Sequence, residues 1–501
     1  MTRNKNINNV SLEDWYLFAI FIIMATAIIV KSYFKSSGYL SPDSTNYLAL
    51  AQNLLENNSF FVSAYGLTGK EREFFAIWPM GYPFFIFIIS KITGLSVFWA
   101  SKLLNILLIG IILKFFRSLF NKSAYVYGLI FLFSSYLEIF TYTWSETLFI
   151  TALVYFSTSM YLFISSNTVS RSLYISIGIS SLVLFMSRYI GAFSFGLIGL
   201  LGLYYGIVKK DKTKSFTLIG VAILNISLMI LYLYHNYLET GFPTGMPRIP
   251  SPESNFELLY SLKYALLDEA SIISHRGSNN YITLLQFSML SFFVWLNRKN
   301  ILGNNTENKN ISLPVTFGII GLTYLFFIIL MRWVTQFDDY NYRLLAPGSF
   351  LIFIAVINVI EKKTSTVFFN TTKIFLLVVC FISLAQNARI TNWSVQKNNG
   401  YLENTKNIEK KYNEVKRNSI VIFGERDLKY LRTDLQIRYP FKLPYHAEKE
   451  MWNDFLHRIE QEKNNSIYLN IPKKQINESN YHISVVEKVR DSESGLLIHL
   501  Q

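Results

Sequence analysis

The chain has 501 residues, 51% of them hydrophobic and 16% aromatic, and 47 Lys and Arg against 33 Asp and Glu leave a formal charge of +14. The apolar residues fall in runs of about 20, the length that crosses a hydrocarbon core of about 30 Å, which excludes an ordinary soluble domain. Much of the cationic excess lies in short loops between those runs, a mark of membrane orientation rather than of a nucleic-acid groove, so membrane lipids are expected partners and nucleic acid is not.

Eleven spans are predicted in chain order, near 15–33, 96–116, 124–143, 147–165, 172–187, 189–208, 215–235, 281–297, 313–331, 344–360 and 372–388. The first is long and lacks a small-residue cleavage site, which marks a retained anchor. Counted this way, six basic segments share one face. They hold Arg3 and Lys5; Lys114, Arg117 and Lys122; Arg171; Lys209, Lys210, Lys212 and Lys214; Arg298, Lys299 and Lys309; and Lys362, Lys363 and Lys373. The positive-inside rule makes that face, and the N-terminus, cytoplasmic. The loops 34–95, 236–280 and 332–343 and the tail from 389 then lie outside, as in the plasma or inner membrane of a bacterium. Residues 79–93, PMGYPFFIFIISKIT, are short for a span, and their crossing would carry the next basic loop outside. They are predicted to lie along the outer interface.

The tail changes character. Polar helical stretches at 400–417 and 446–463 alternate with β-like runs at 419–425, 466–471, 482–489 and 495–500. The expected architecture is an all-α polytopic membrane protein of about 11 transmembrane helices with outer interfacial helices, residues 1–388, followed by a small C-terminal α/β extracytoplasmic domain, residues 389–501. Cys380, the one cysteine, lies in an apolar run, so no disulfide forms within the chain.

Asp43 is the leading candidate for chemistry. It opens the helix SPDSTNYLALAQNLL, residues 41–55, whose apolar side is predicted to carry Tyr47, Leu48, Ala51, Leu54 and Leu55. Ser41 as cap, Pro42 at the first position and an acid in the first turn are also what plain capping needs. Location adds to that: the acid follows the first span, at the membrane surface. Glu146, in TYTWSETLF, has the same level and the same capping alternative. Glu138 lies about two turns deeper, where hydrogen bonding into the bundle is the simpler role. Arg188 in LFMSRYIGAF and Arg343 in QFDDYNYRLLAP, with Arg332 nearby, sit where a guanidinium meets a lipid phosphate. Snorkelling or pairing with Asp338 or Asp339 is the alternative for these arginines. Lys70, Arg72 and Lys91 on the first outer loop are further phosphate candidates. His235 and His275 are lone and read as structural. The sequence carries no glycine-rich phosphate loop, no His/Cys metal cluster, no GxSxG elbow and no HExxH, so the donor must arrive already activated.

Taken in order, these motifs resemble the GT-C superfamily of integral-membrane glycosyltransferases, in the branch of lipid A aminoarabinose transferase and protein O-mannosyltransferase. The resemblance spans about residues 12–390. It rests on Pro42, Asp43 and Tyr47 in P-D-x-x-x-Y, on WPMGYPFF, on Glu146 in SETLF and on YNYRLLAP. It implies transfer of a sugar from a polyprenyl-phosphate-linked donor to a lipid, glycan or protein acceptor on the outer face. Asp43 and Glu146 would be catalytic, Arg343, Arg188 and Arg72 would bind the donor phosphate, and Tyr47, Tyr82 and Tyr342 would line the substrate. The family often carries two adjacent acids at the first motif. Here Ser44 follows Asp43, which removes one oxygen ligand, so a divalent cation, Mg or Mn, is allowed but not required. A transporter or flippase of lipid-linked glycans, or a polysaccharide polymerase or ligase, is the alternative. The charge-poor midplane and the acids at the outer rim favour an enzyme over a transporter.

Overall fold

Apolar length decides most of the architecture. The computed structural model describes residues 11–63, 72–166, 168–270, 312–397, 400–422, 424–438, 466–471, 485–492 and 495–500. Among them, eight helical segments are long and apolar enough to cross a membrane: Leu12–Phe34, Val97–Leu132, Glu146–Ser165, Tyr189–Ile207, Lys212–Thr240, Leu313–Val334, Tyr342–Lys363 and Thr366–Arg389. Three of the eleven expected spans are missing from that set. The segment 172–187 forms α8, Arg171–Ser187, a shorter apolar helix. The span near 281–297 lies outside the described residues, as do His275 and the helix expected at 446–463. The third, 124–143, is no continuous span. It folds as α5 (Ala124–Gly128), a 3-10 turn (Leu129–Leu132) and α6 (Ser134–Thr141), with extended backbone at Phe133 (φ −68°, ψ 145°). Every residue from Val126 to Thr141 is buried. Irregular backbone is tolerated in such apolar surroundings where protein covers it, and an apolar run alone does not distinguish lipid from protein as its cover.

The described residues divide into two compact units, one lying within Met1–Lys31, Asn105–Leu231 and Arg248–Trp393, the other within Ser32–Leu104, Tyr232–Pro247 and Ser394–Gln501. In the first unit, α7 (Glu146–Ser165) and α13 (Tyr342–Lys363) pack against α6 of the broken segment, and α12 (Ser312–Val334) packs on both of them. Aromatic rings fill the space: Phe120 stacks on Tyr127 at 3.5 Å, and Phe131 and Tyr136 meet Phe350. Between apolar helices in lipid, close backbone packing replaces the hydrophobic drive. Accordingly α12 and α13 cross at Gly321 and Gly348, where a Cβ on either would stand within 2.9 Å of the other's carbonyl oxygen. Polar side chains add to this. Lys31 on α1 (Leu12–Phe34) donates to Asn387 on α14 (Thr366–Lys397) at 2.7 Å, and Asn387 donates to Ser134 at 3.3 Å. Helices α9 (Phe193–Ile207) and α11 (Asn255–Ala270) precede and follow α10 (Lys212–Thr240), on which Phe216, Ile223, Leu224, Ile230 and Leu231 stay exposed. A bilayer is the cover such a surface requires, and the protein is an integral membrane protein.

The second unit gathers the first long loop and the tail. Its α2 (Pro42–Asn57) starts on a capping box in which Ser41 and Ser44 each accept from the other's backbone N–H. The sequence predicts an amphipathic helix; in the structure every residue from Ser44 to Ala51 is buried. A two-stranded hairpin follows, β1 (Phe61–Ser63) antiparallel to β2 (Arg72–Phe74), and then α3 (Gly81–Thr93). At 13 residues α3 is about 20 Å long, too short to span. His235 packs edge-on against Phe74. Gly245 (φ +73°) lies so close to the Ala76 backbone that any side chain there would collide.

The tail contributes α15 (Tyr401–Lys411), a four-residue helical turn α16 (Leu428–Leu431) and a five-stranded sheet. The strands are β3 (Ile420–Ile422), β4 (Gln436–Arg438), β5 (Ile467–Ile471), β6 (Val485–Ser492) and β7 (Gly495–Leu500), in the order β4-β3-β5-β7-β6. β3 pairs parallel with β4 and β5, and β7 pairs antiparallel with β5 and β6. The boundary expected at 388 falls inside α14, which continues to Lys397.

Two outcomes check the packing. Gly348→Val drives the α12 and α13 backbones apart and lowers stability by roughly 1–3 kcal/mol, read as thermal unfolding in detergent. Burial, with Glu425 adding to it, pushes the Asp427 carboxyl up to about 6. Its charged form therefore costs stability above that pH, and the cost vanishes as the pH falls through the ordinary carboxylate range. Asp427→Asn raises stability by about 3 kcal/mol at pH 7 and has little effect at pH 4.

Candidate functional site

Glu146 is built into place by an asparagine. Asn105 on α4 (Val97–Phe120) donates to the carbonyls of Phe140 and Tyr142 at 2.9 and 2.8 Å, and accepts from Thr147 Oγ1 at 2.9 Å. These bonds hold the turn between α6 and α7, so Glu146 enters as the first residue of α7, where the helix dipole favours an anion. Its side chain is fully buried. Oε1 accepts from Arg188 Nη1 and from Arg343 Nε, while Oε2 has no hydrogen-bond partner among the described residues.

Each arginine reaches the carboxylate through a local departure from helix. Arg188 ends α8 in extended backbone (φ −153°, ψ 136°) ahead of a 3-10 turn, Tyr189–Ala192. Gly191 in that turn approaches the Leu184 carbonyl so closely that a Cβ would stand 2.3 Å away. Arg343 lies in the first turn of α13, behind the cap Asn341, whose Oδ1 accepts from Leu344 N–H at 3.0 Å. A cation in a first turn opposes the helix dipole, and Glu146 offsets it. Arg343 also pairs with Asp338 at 3.4 Å and lies 4.3 Å over the Trp144 ring, which stacks on Tyr142 at 4.0 Å. Tyr342 beside it is half-buried.

Arg332 is committed elsewhere. It donates to Glu253 at 2.6 Å, to Ser251 at 2.8 Å and to the Asp338 carbonyl at 2.8 Å, with Asp339 at 3.4 Å. Hydrogen bonding from Arg332 holds the Glu253 carboxyl down at about 2. The expected pairing with Asp338 and Asp339 is thus only part of the picture. Glu253, Ser251 and Trp144 carry no local signal that points to this cluster. Glu138 is buried in α6.

The other expected site residues belong to the second unit. Asp43 is half-buried in the first turn of α2. Tyr47, one turn on, and Tyr82 on α3 are 1% and 0% exposed, their rings 5.5 Å apart and walled by Phe75 and Trp78. Arg72 stands on the hairpin, apart from those tyrosines. It donates to the Thr433 carbonyl at 3.4 Å and lines a polar cavity of about 310 Å³ with Ser63, Asn418, Asp434 and Gln436. The structure therefore brings Glu146, Arg188 and Arg343 together, and places Asp43 with Tyr47 and Tyr82. Among the described residues no three His, Cys, Asp or Glu side chains group as metal ligands. With Ser44 after Asp43, the donor set does not suit a divalent ion held by protein alone.

Removing the negative charge of Glu146 takes a buried carboxylate from both Arg188 and Arg343. Glu146→Gln lowers stability by roughly 3–5 kcal/mol, measured by thermal unfolding of the purified protein.

No protein-family model and no curated protein matches the sequence. Solved structures do match. ArnT from Cupriavidus metallidurans bound to undecaprenyl phosphate superposes with a TM-score of 0.56 at 10% identity, over 98% of this chain and 98% of that one. The apo state of the same protein gives 0.51 at 11% identity, again over 98% of each. At such identity the likeness concerns the fold, and it runs nearly end to end. The chain has the fold of these ArnT structures.

Proposed function

We propose that the protein transfers a sugar from a polyprenyl-phosphate-linked donor to a lipid, glycan or protein acceptor on the outer face of the membrane. The observation that carries this is the near-complete fold match to a structure that holds undecaprenyl phosphate, together with a half-buried acid opening α2. In this reading the N-terminus is cytoplasmic, α3 lies along the outer interface, and the tail that follows α14 belongs to an extracytoplasmic domain.

The chemistry follows from the side chains. Asp43 accepts the proton of the acceptor hydroxyl or amine as the glycosidic bond forms, and general-base help of this kind supplies roughly 10²–10⁴-fold. Arg343 and Arg188 present guanidinium donors to the departing phosphate, stabilising charge as it develops, and Arg72 offers a further cation. Glu146 holds the two arginines at fixed spacing and shares the orientation of the acceptor. Tyr342 is the aromatic open to a substrate; Tyr47 and Tyr82 support α2 and α3 from within. No step is routed through a metal ion.

Membranes containing the protein are supplied with radiolabelled polyprenyl-phosphate sugars, and the label is followed into lipid, glycan and protein fractions. The wild type transfers one of them. Asp43→Asn abolishes transfer while abundance in the membrane is unchanged. Transfer retained by that variant refutes the assignment of the base, and movement of an intact lipid-linked glycan without bond cleavage refutes the enzyme in favour of a flippase.

A further inference from the structure

α2 carries the proposed base, yet the residues that hold it come from more than 370 positions away in the chain. Asn46, one turn after Pro42, is buried. Its Nδ2 donates to the Pro42 carbonyl at 2.7 Å, beside Thr45 Oγ1 at 2.9 Å, and its Oδ1 accepts from Lys429 Nζ at 3.2 Å. Lys429 lies on α16 and is itself buried. At the far end of α2, Thr433 donates to Glu56. Beyond it, Ile437 N–H donates to Ser63 Oγ of β1 at 3.0 Å. Residues 429–437 thus hold α2 and the strand after it at three points. A lysine is rarely sealed in without a reason in the fold, and burial here pulls its ammonium down to about 8.

We infer that Lys429 is a positioning residue for the transfer reaction: through Asn46 and the Pro42 carbonyl it fixes the first turn of α2, and with it the direction of the Asp43 carboxylate. The tail then serves catalysis directly, as a brace on the helix that carries the base. This rests on the role of Asp43 proposed above. A base displaced by about 1 Å loses up to about 10²-fold in rate while substrate binding is little changed. The loss therefore falls on kcat and spares KM for the donor.

The test uses the full-length protein and the polyprenyl-phosphate sugar that it transfers, with Lys429→Met, Asn46→Leu and the double variant. Removing one buried partner takes a hydrogen bond from the other, whereas replacing both by apolar groups avoids that mismatch. The double variant therefore folds even where a single one does not, as thermal unfolding will report. Expected is a fall in kcat of about 10- to 100-fold at unchanged KM, no larger in the double variant than in either folded single one. Wild-type kcat in the folded double variant overturns the inference. So does a loss in the double variant equal to the product of the two single losses, which marks independent roles. Asp43→Asn, measured alongside, separates the two claims. If it is inactive while Lys429→Met keeps wild-type kcat, only the brace fails; if it is active, the base assignment fails and the brace falls with it.

Discussion

A carboxylate sealed from water costs several kcal/mol unless cations meet it, and that constraint organises the membrane-embedded unit. Glu146 is met by Arg188 and Arg343, which come from two other elements. The start of α7, the break after α8 and the start of α13 must therefore coincide. Each gives up regular helix to do so. Asn105 pins the turn before Glu146, Gly191 allows the turn after Arg188, and Asn341 caps the helix that carries Arg343. Compensation of one buried charge thus selects where several helices may be interrupted, and it leaves one carboxylate oxygen and two guanidinium groups held at fixed spacing.

The spans were legible because the bilayer sets one length for all of them. What runs of apolar residues do not show is their cover, so 124–143 looks like a span and is instead a broken segment buried in protein. The same ambiguity hid the burial of α2. Its polar Thr45, Asn46 and Asn53 suggest a wet face, but each bonds back to its own helix, and Asn46 also to the tail. Both arginines were visible as candidates, and salt bridging was foreseen for Arg343. Its partner Asp338 lies five residues away and was legible, whereas Glu146 is 197 residues away and local spacing could not name it. Four β-like runs in the tail correspond to β3, β5, β6 and β7. β4, with Ile437 between the polar Gln436 and Arg438, offered no apolar run to read. That the tail and residues 32–104 share one unit rests on contacts no local pattern encodes.

The proposed chemistry divides its labour along similar lines. The arginine pair belongs to elements whose positions are set by burial, so it is preorganised before substrate arrives, the condition under which fixed donors stabilise a leaving phosphate best. The acid on α2 is half-buried and anchored by its capping box and by the tail. A base needs that combination: contact with the acceptor and little freedom to turn.

Everything proposed for catalysis requires Asp43 to face the side of the membrane opposite the basic loops. Cys380 is the one native cysteine and is buried, so a single Asp43→Cys change in a Cys380→Ala background gives a clean reporter. Intact cells expressing that variant are treated with a membrane-impermeant maleimide. Labelling without permeabilisation is the result expected for an acid at the outer lipid headgroups. Labelling that appears only after the membrane is opened to the cytosolic side contradicts the proposed site.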